Sequence, residues 1–141
     1  MTSKIDKEAI VEAYEDVRND STQTTWALFG YDDKRICVIK TGSSYEDLLN
    51  EFNDEERNFA FVRMITGDEM SKRAKFALIT WCGANVSVMK KANLTVDKSL
   101  VKEIVSSYAV DIFTSDKNEI SESKLRTAFD KAGGANYGSA K

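Results

Sequence analysis

Lys72, Arg73 and Lys75 stand almost side by side, and Lys90 and Lys91 follow further on beside Met89. Cations grouped in this way break no bonds by themselves. They recognise carboxylates or phosphates, so the chemistry on offer is capture of an acidic partner. The residues that would carry catalysis are missing or badly placed. The 141 residues include no histidine, which removes Ser–His and Cys–His nucleophile pairs and histidine metal sites together. Cys37 and Cys82 each lie in an apolar run, which predicts two buried thiols distant from any activating cation. Asp54, Glu55 and Glu56 fall in a polar run, where general acid–base work lacks a desolvated pocket. Asp32-Asp33 offers half a cation site with no further acids at calcium-loop spacing. Ala132-Gly133-Gly134-Ala135 lacks the lysine and serine of a phosphate loop. No catalytic residue, metal site or cofactor is expected.

The net charge of −3 is unevenly spread. Residues 46–56 carry six acids and no base, whereas residues 72–102 carry seven bases against one acid, Asp97. This predicts a dipolar surface with one side suited to an acidic partner. Nucleic acid is a poor fit, because the chain is acidic overall and its basic patch lacks interleaved aromatics. The longest apolar runs fall far short of the ~18 residues that a membrane span needs. The polar start leads straight into a helix pattern, so no signal peptide is read and a cytoplasmic location is expected.

These side chains need a frame, and the hydrophobic pattern supplies one. Ser3-x-x-Asp6 reads as a capping box opening a helix over about 6–19, with Ala9, Ile10, Ala13, Tyr14 and Val17 as its buried stripe. Residues 26–31 and 35–41 read as a hairpin around an aspartate-rich turn. A short acidic helix follows over about 44–51, turning Tyr45, Leu48 and Leu49 inward. Residues 58–65 (NFAFVRMI) and 75–82 (KFALITWC) are nearly continuous apolar runs, the pattern of strands covered on both faces. Trp26 and Trp81 are read as core. A long helix then begins at Val86, interrupted near residues 93–95, with a second stripe from Leu100 to Tyr108. Residues 110–114 form a last strand. Ser121 caps a final helix with an Ile120/Leu125 staple, and Gly133-Gly134 are expected to stop it. The sum is an α/β (α+β) fold: one mixed five-stranded sheet with helices on both faces, a domain over 1–134 and a short flexible tail over 135–141.

Five stretches carry a family resemblance: residues 3–8 (SKIDKE), 59–63 (FAFVR), 66–81 (TGDEMSKRAKFALITW), 97–103 (DKSLVKE) and 131–137 (KAGGANY). Together they resemble the coactosins, single-domain members of the actin-depolymerising factor homology superfamily. The resemblance runs nearly end to end, and that family's mixed sheet with helices on both faces agrees with the order above. It implies a non-enzymatic, monomeric protein of the cytoplasmic actin cytoskeleton. Such a protein binds the side of actin filaments and modulates their dynamics, for example by countering capping, without strong severing. In that superfamily a Lys-Arg-x-Lys sequence entering the strand makes the filament contact, and it matches Lys72, Arg73 and Lys75. A basic position of the last helix falls on Lys131. In cofilin-like members two basic residues flank a serine, and a methionine follows, to grip an actin monomer. Here Met89 precedes Lys90 and Lys91, a departure that makes monomer binding weak. Ser3 could stand for the phosphorylatable serine of cofilins, but it fits better inside a capping box. Two alternatives stay open: a cofilin-like depolymerising factor that also binds monomers, and a scaffold or chaperone for another cytosolic protein.

Overall fold

A computed structural model describes the backbone of residues 4–67 and 70–139, with side chains as far as residue 132. The elements run in the order α1 (Lys7–Arg18), β1 (Trp26–Asp32), β2 (Arg35–Gly42), α2 (Tyr45–Glu51), β3 (Arg57–Thr66), β4 (Arg73–Cys82), α3 (Val88–Ile104), β5 (Val110–Thr114) and α4 (Glu122–Ser139). A single 3-10 turn, Lys117–Ile120, lies between β5 and α4. The five strands form one sheet in the order β2-β1-β3-β4-β5. The first four pair antiparallel, and β5 runs parallel to β4. A parallel neighbour needs a crossover, and α3 provides it. The expected mixed sheet with helices on both faces is therefore present.

Alternation along the inner strands makes two cores. Phe59 and Phe61 of β3, with Leu78 and Cys82 of β4, pack against Ile10, Tyr14 and Val17 of α1 and Leu94 and Val101 of α3. Ala60, Val62 and Met64, with Ala77, Ile79 and Trp81, turn the other way onto Leu48 of α2 and Leu125 and Phe129 of α4. A strand with helices on both sides must be apolar at every step, which is why β3 and β4 show so little polar alternation. Both tryptophans belong to the second core, and each finds a carbonyl for its indole N–H: Ser44 for Trp26 and Asn53 for Trp81, both at 2.7 Å.

Several local expectations are corrected. The cap of α1 is Asp6, whose carboxylate accepts from the Ala9 N–H at 3.4 Å; Ser3 lies outside the described residues. The long helix starts at Val88, not Val86, because Ser87 caps it and its hydroxyl accepts from the Lys90 N–H. It then runs without a break through residues 93–95, where the Thr95 hydroxyl donates back to the Lys91 carbonyl and Leu94 is fully buried. Tyr108 lies beyond its end. The last helix is capped by Ser121 as expected, with Ile120 and Leu125 buried. It continues to Ser139 through Gly133-Gly134. Glycine weakens a helix by about 1 kcal/mol but does not force it to end.

Two tyrosines, Tyr31 and Tyr45, make the fold sensitive to alkali. The Tyr45 hydroxyl donates to the Ile120 carbonyl at 2.6 Å, and burial, with Glu122 nearby, pushes its pKa well above the usual phenol range. The neutral phenol is therefore the form that the folded state favours. Its contribution is whole below the unfolded pKa of about 10 and is lost as pH rises beyond it, by at most about 1.4 kcal/mol per pH unit. Urea melts between pH 8 and 11.5 should show stability declining from about pH 10. The Tyr45→Phe variant should decline less steeply.

Candidate functional site

The basic cluster sits where the β3–β4 hairpin opens. Lys72 is exposed just ahead of β4, Arg73 is the first residue of the strand, and Lys75 is half-buried opposite Met64. Alternation places Arg73 and Lys75 on the same side as Ala77, Ile79 and Trp81, the face that carries α4. Neither cation has an ion-pair partner among the described residues. Both rim a groove of about 380 Å3 with Ser107 and Tyr108 of the α3–β5 connection. Lys131 is exposed on α4 and lines a second groove with Lys124 and with Ile112 of the edge strand β5.

Arg126 was not read from the sequence, yet it stands at the same end of the sheet. Its guanidinium donates to the Ile65 carbonyl at 2.7 Å, and Ile65 pairs with Ala74, between Arg73 and Lys75. Arg126 also pairs with Glu122 one turn back, but its contact with Ile65 lies 61 positions away and leaves no spacing signal.

The helix-start cluster lies elsewhere, and the expected pairing of the two basic clusters is corrected. Met89 is 75% exposed, and Lys90 and Lys91 are exposed beside it on the first turn of α3. This turn lies past the Cys82 end of β4. Arg57, which pairs with Cys82, donates to the Lys90 carbonyl at 3.2 Å. The seven steps from Lys75 to Cys82 span about 23 Å at the usual strand rise. A chain that reverses after a strand returns its helix start to the far end, so closeness in sequence misled here. The acidic run shares that far end: the Gly83 N–H donates to the Glu56 carbonyl, and the Asn85 amide donates to Glu55. Arg73 and Lys75 therefore stand at the opposite end from Glu55 and Glu56, but Lys90 and Lys91 share the end of these acids, so the basic stretch 72–102 does not form the single side that the uneven charge predicted.

α3 is fixed on the sheet by a polar network. Asp97 is only 3% exposed and accepts from the Tyr31 hydroxyl at 2.8 Å, while Lys4 approaches its other oxygen at 3.4 Å. The Arg57 guanidinium lies over the Tyr31 ring, 3.7 Å from its centre. Burial, then the bond to Asp97, raises the Tyr31 pKa well above the phenol range. The same sequence position that looked like the odd acid in a basic stretch is thus a structural anchor.

Cys82 is buried, but Cys37 is half-exposed on the edge strand β2, not buried as expected, with Arg35 among the charges around it. An edge strand has one open side, which explains the exposure. Burial, then Asp32 and Asp6, nonetheless pushes the Cys37 thiol up, against the smaller pull of Arg35. A thiol so placed is a poor nucleophile. No three metal-ligating side chains group together among the described residues, and no described helix is long and apolar enough to cross a membrane.

The turn that delivers Lys72 and Arg73 depends on Gly67, whose φ of +100° is one that side chains rarely adopt. A Cβ there would stand 2.0 Å from the Ser71 carbonyl oxygen. Gly67→Ala should lower stability by about 1–3 kcal/mol in a urea melt, whereas an alanine at exposed Lys72 should shift it by no more than about 0.5 kcal/mol.

Known proteins share this frame. Residues 2–129 match the family described as cofilin/tropomyosin-type actin-binding protein. A coactosin-like protein of Bos taurus is 48% identical over 137 residues, covering 97% of this chain and 96% of its own. The crystal structure of human coactosin-like protein superposes with a TM-score of 0.88 at 44% identity, over 92% of this chain and 99% of that one. The solution structure of mouse coactosin, an actin filament binding protein, gives 0.80 at 45% identity over 100% and 99%. The chain belongs to the cofilin/tropomyosin-type family of actin-binding proteins, and within it to the coactosins. This is a family of actin-binding proteins and not of enzymes, in keeping with the lack of a catalytic set in the sequence.

Proposed function

We propose that this protein binds the side of actin filaments through Lys75, Arg73 and Lys72 at the hairpin end of the sheet, with Lys131 on the neighbouring face of α4. The observation that carries this reading is the pair of cations on the rigid start of β4, without ion-pair partners among the described residues and open to an acidic surface. The filament-binding mouse coactosin, at 45% identity over nearly its whole length, supports it. Binding modulates filament dynamics without strong severing, in the cytoplasm at the actin cytoskeleton. Met89, Lys90 and Lys91 form a separate contact past the Cys82 end of β4, one that engages a different part of the filament from the hairpin. Their exposure also favours a second, cofilin-like reading, in which the first turn of α3 grips an actin monomer.

Cosedimentation with filaments, run beside a monomer-binding titration at two salt concentrations, separates these. Filament binding tighter than monomer binding, and weakened by salt, is the expected result. Monomer affinity equal to or tighter than filament affinity would replace the first reading with the second.

A further inference from the structure

β5 starts late. Its first residue, Val110, pairs with Ala77, so β4 from Arg73 to Phe76 has β3 on one side and no described strand on the other. About 13 Å of strand is thereby left as an open edge. The groove of about 380 Å3 is this notch, lined by residues 73–76 in succession and by the α3–β5 connection. Successive side chains of a strand point to opposite faces, so a groove touching four in a row runs along the edge. Two hydrogen bonds fix which backbone groups look into it. The Ala109 N–H donates to the Phe76 carbonyl at 2.8 Å, so the peptide groups of Phe76 point to the β5 side. The Arg63 N–H donates to the Thr25 carbonyl at 2.7 Å, which turns Arg63 toward β1 and Met64, the partner of Lys75, toward β4. By alternation Arg73 and Lys75 bond to β3, whereas the N–H and C=O of Ala74 face the notch. Neither has a hydrogen-bond partner among the described residues. An unpaired strand edge is a template for a further strand. The cations of Arg73 and Lys75 flank this one, and no acid lines it among the described residues. Its far wall is set before any partner arrives, since the Ser107 N–H donates to the Tyr14 hydroxyl at 3.1 Å, which lowers the ordering cost of binding.

We infer that the notch beside β4 receives a short, extended, acidic segment of the actin filament, which adds to the sheet by hydrogen bonds with the backbone of Ala74 and brings a carboxylate against Arg73 or Lys75. This rests on the filament-binding reading above and deepens it. The cations draw an acid in from many angles, whereas backbone pairing sets the direction and register of the segment that carries it.

The test is filament cosedimentation of Ala74→Pro, which removes an N–H that faces the notch and leaves the β3 ladder whole, a place where strands tolerate proline. Its dissociation constant should rise about tenfold, from one lost backbone bond and the ring's clash with an added strand. Ala74→Ser keeps the amide and should pellet like the parent. In the parent, hydrogen exchange read by NMR after release from filaments should show the Ala74 amide slowed at least about tenfold by binding, whereas the Lys75 amide is already slow in the free protein. If Ala74→Pro fails to fold, this measurement decides alone. A folded Ala74→Pro that pellets like the parent, an equal loss in Ala74→Ser, or an Ala74 amide that exchanges as fast on filaments as off them would overturn the pairing. The filament surface would still stand if Lys75→Ala binds weakly. If Lys75→Ala also pellets like the parent, the filament-binding reading falls, and the pairing with it. Dimers formed without actin and abolished by Ala74→Pro would put a second copy of this chain in the notch and overturn the assignment to the filament.

Discussion

Arg63→Ala should destabilise the protein by about 3–5 kcal/mol, more than any surface change in the molecule. Arg63 sits in the central strand β3 and is only 8% exposed. Among the described residues its guanidinium pairs with no carboxylate. It donates to the Val17 carbonyl at 2.8 Å, to Asn19 at 2.6 Å and to Thr22 at 2.9 Å. These carbonyls end α1 and begin its exit loop, where helix carbonyls lack partners within the helix and the macrodipole is negative. One cation therefore caps α1, ties it to the sheet and bonds three carbonyl oxygens, of which Asn19 also accepts from the Thr22 N–H. Hydrogen bonds to charged groups contribute about 1.5–3 kcal/mol each, and three on one side chain do not add fully. Arg63→Lys should recover only part of the loss, since a single ammonium cannot match the fork. Urea unfolding of the three proteins measures this. An alanine variant within 1 kcal/mol of the parent would show that water replaces the guanidinium at no cost.

The sequence made the two cores readable because each strand and helix states its own period. The apolar runs of β3 and β4 required cover on both faces, and Ile10, Tyr14 and Val17 named the stripe of α1 before any packing was known. What escaped was whatever depends on atoms brought together from afar. Arg63 looked like a lone charge in an apolar run, since its three acceptors lie over forty positions earlier. Asp97 looked like a stray acid, since Tyr31 and Lys4 meet it only after folding. The capping box went astray because Ser and Asp both cap well, and spacing alone does not choose between Ser3 and Asp6. The candidate site divided in the same way. Lys72, Arg73 and Lys75 are contiguous and could be seen at once. Their separation from Met89, Lys90 and Lys91, and the nearness of Arg126 and Tyr108, follow from strand direction and from a parallel crossover that no local pattern records.

Lys75→Ala should weaken filament binding by about 2–5 kcal/mol, and Lys72→Ala by much less. The difference comes from where each side chain is rooted. Lys75 is half-buried on a paired strand, opposite Met64 and inside the groove that Tyr108 and Arg73 share. Its ammonium therefore has little freedom left to lose, and a partner covering the groove would desolvate it. Lys72 is fully solvated in the turn ahead of the strand, where a rim charge mainly speeds encounter and is screened by salt. Arg73 is exposed but anchored at the first rung, opposite Thr66, so its loss should fall between the two. The fold should survive all three changes, because substitutions at such sites usually shift stability by no more than about 0.5 kcal/mol. Raising salt from 50 to 200 mM should weaken the parent and Lys72→Ala alike. Lys75→Ala should respond less, having already lost its central charge contact. The order Lys75, Arg73, Lys72 is read directly from cosedimentation isotherms of the three variants beside the parent. A Lys72→Ala loss equal to or larger than that of Lys75→Ala would move the contact off the strand and onto the turn.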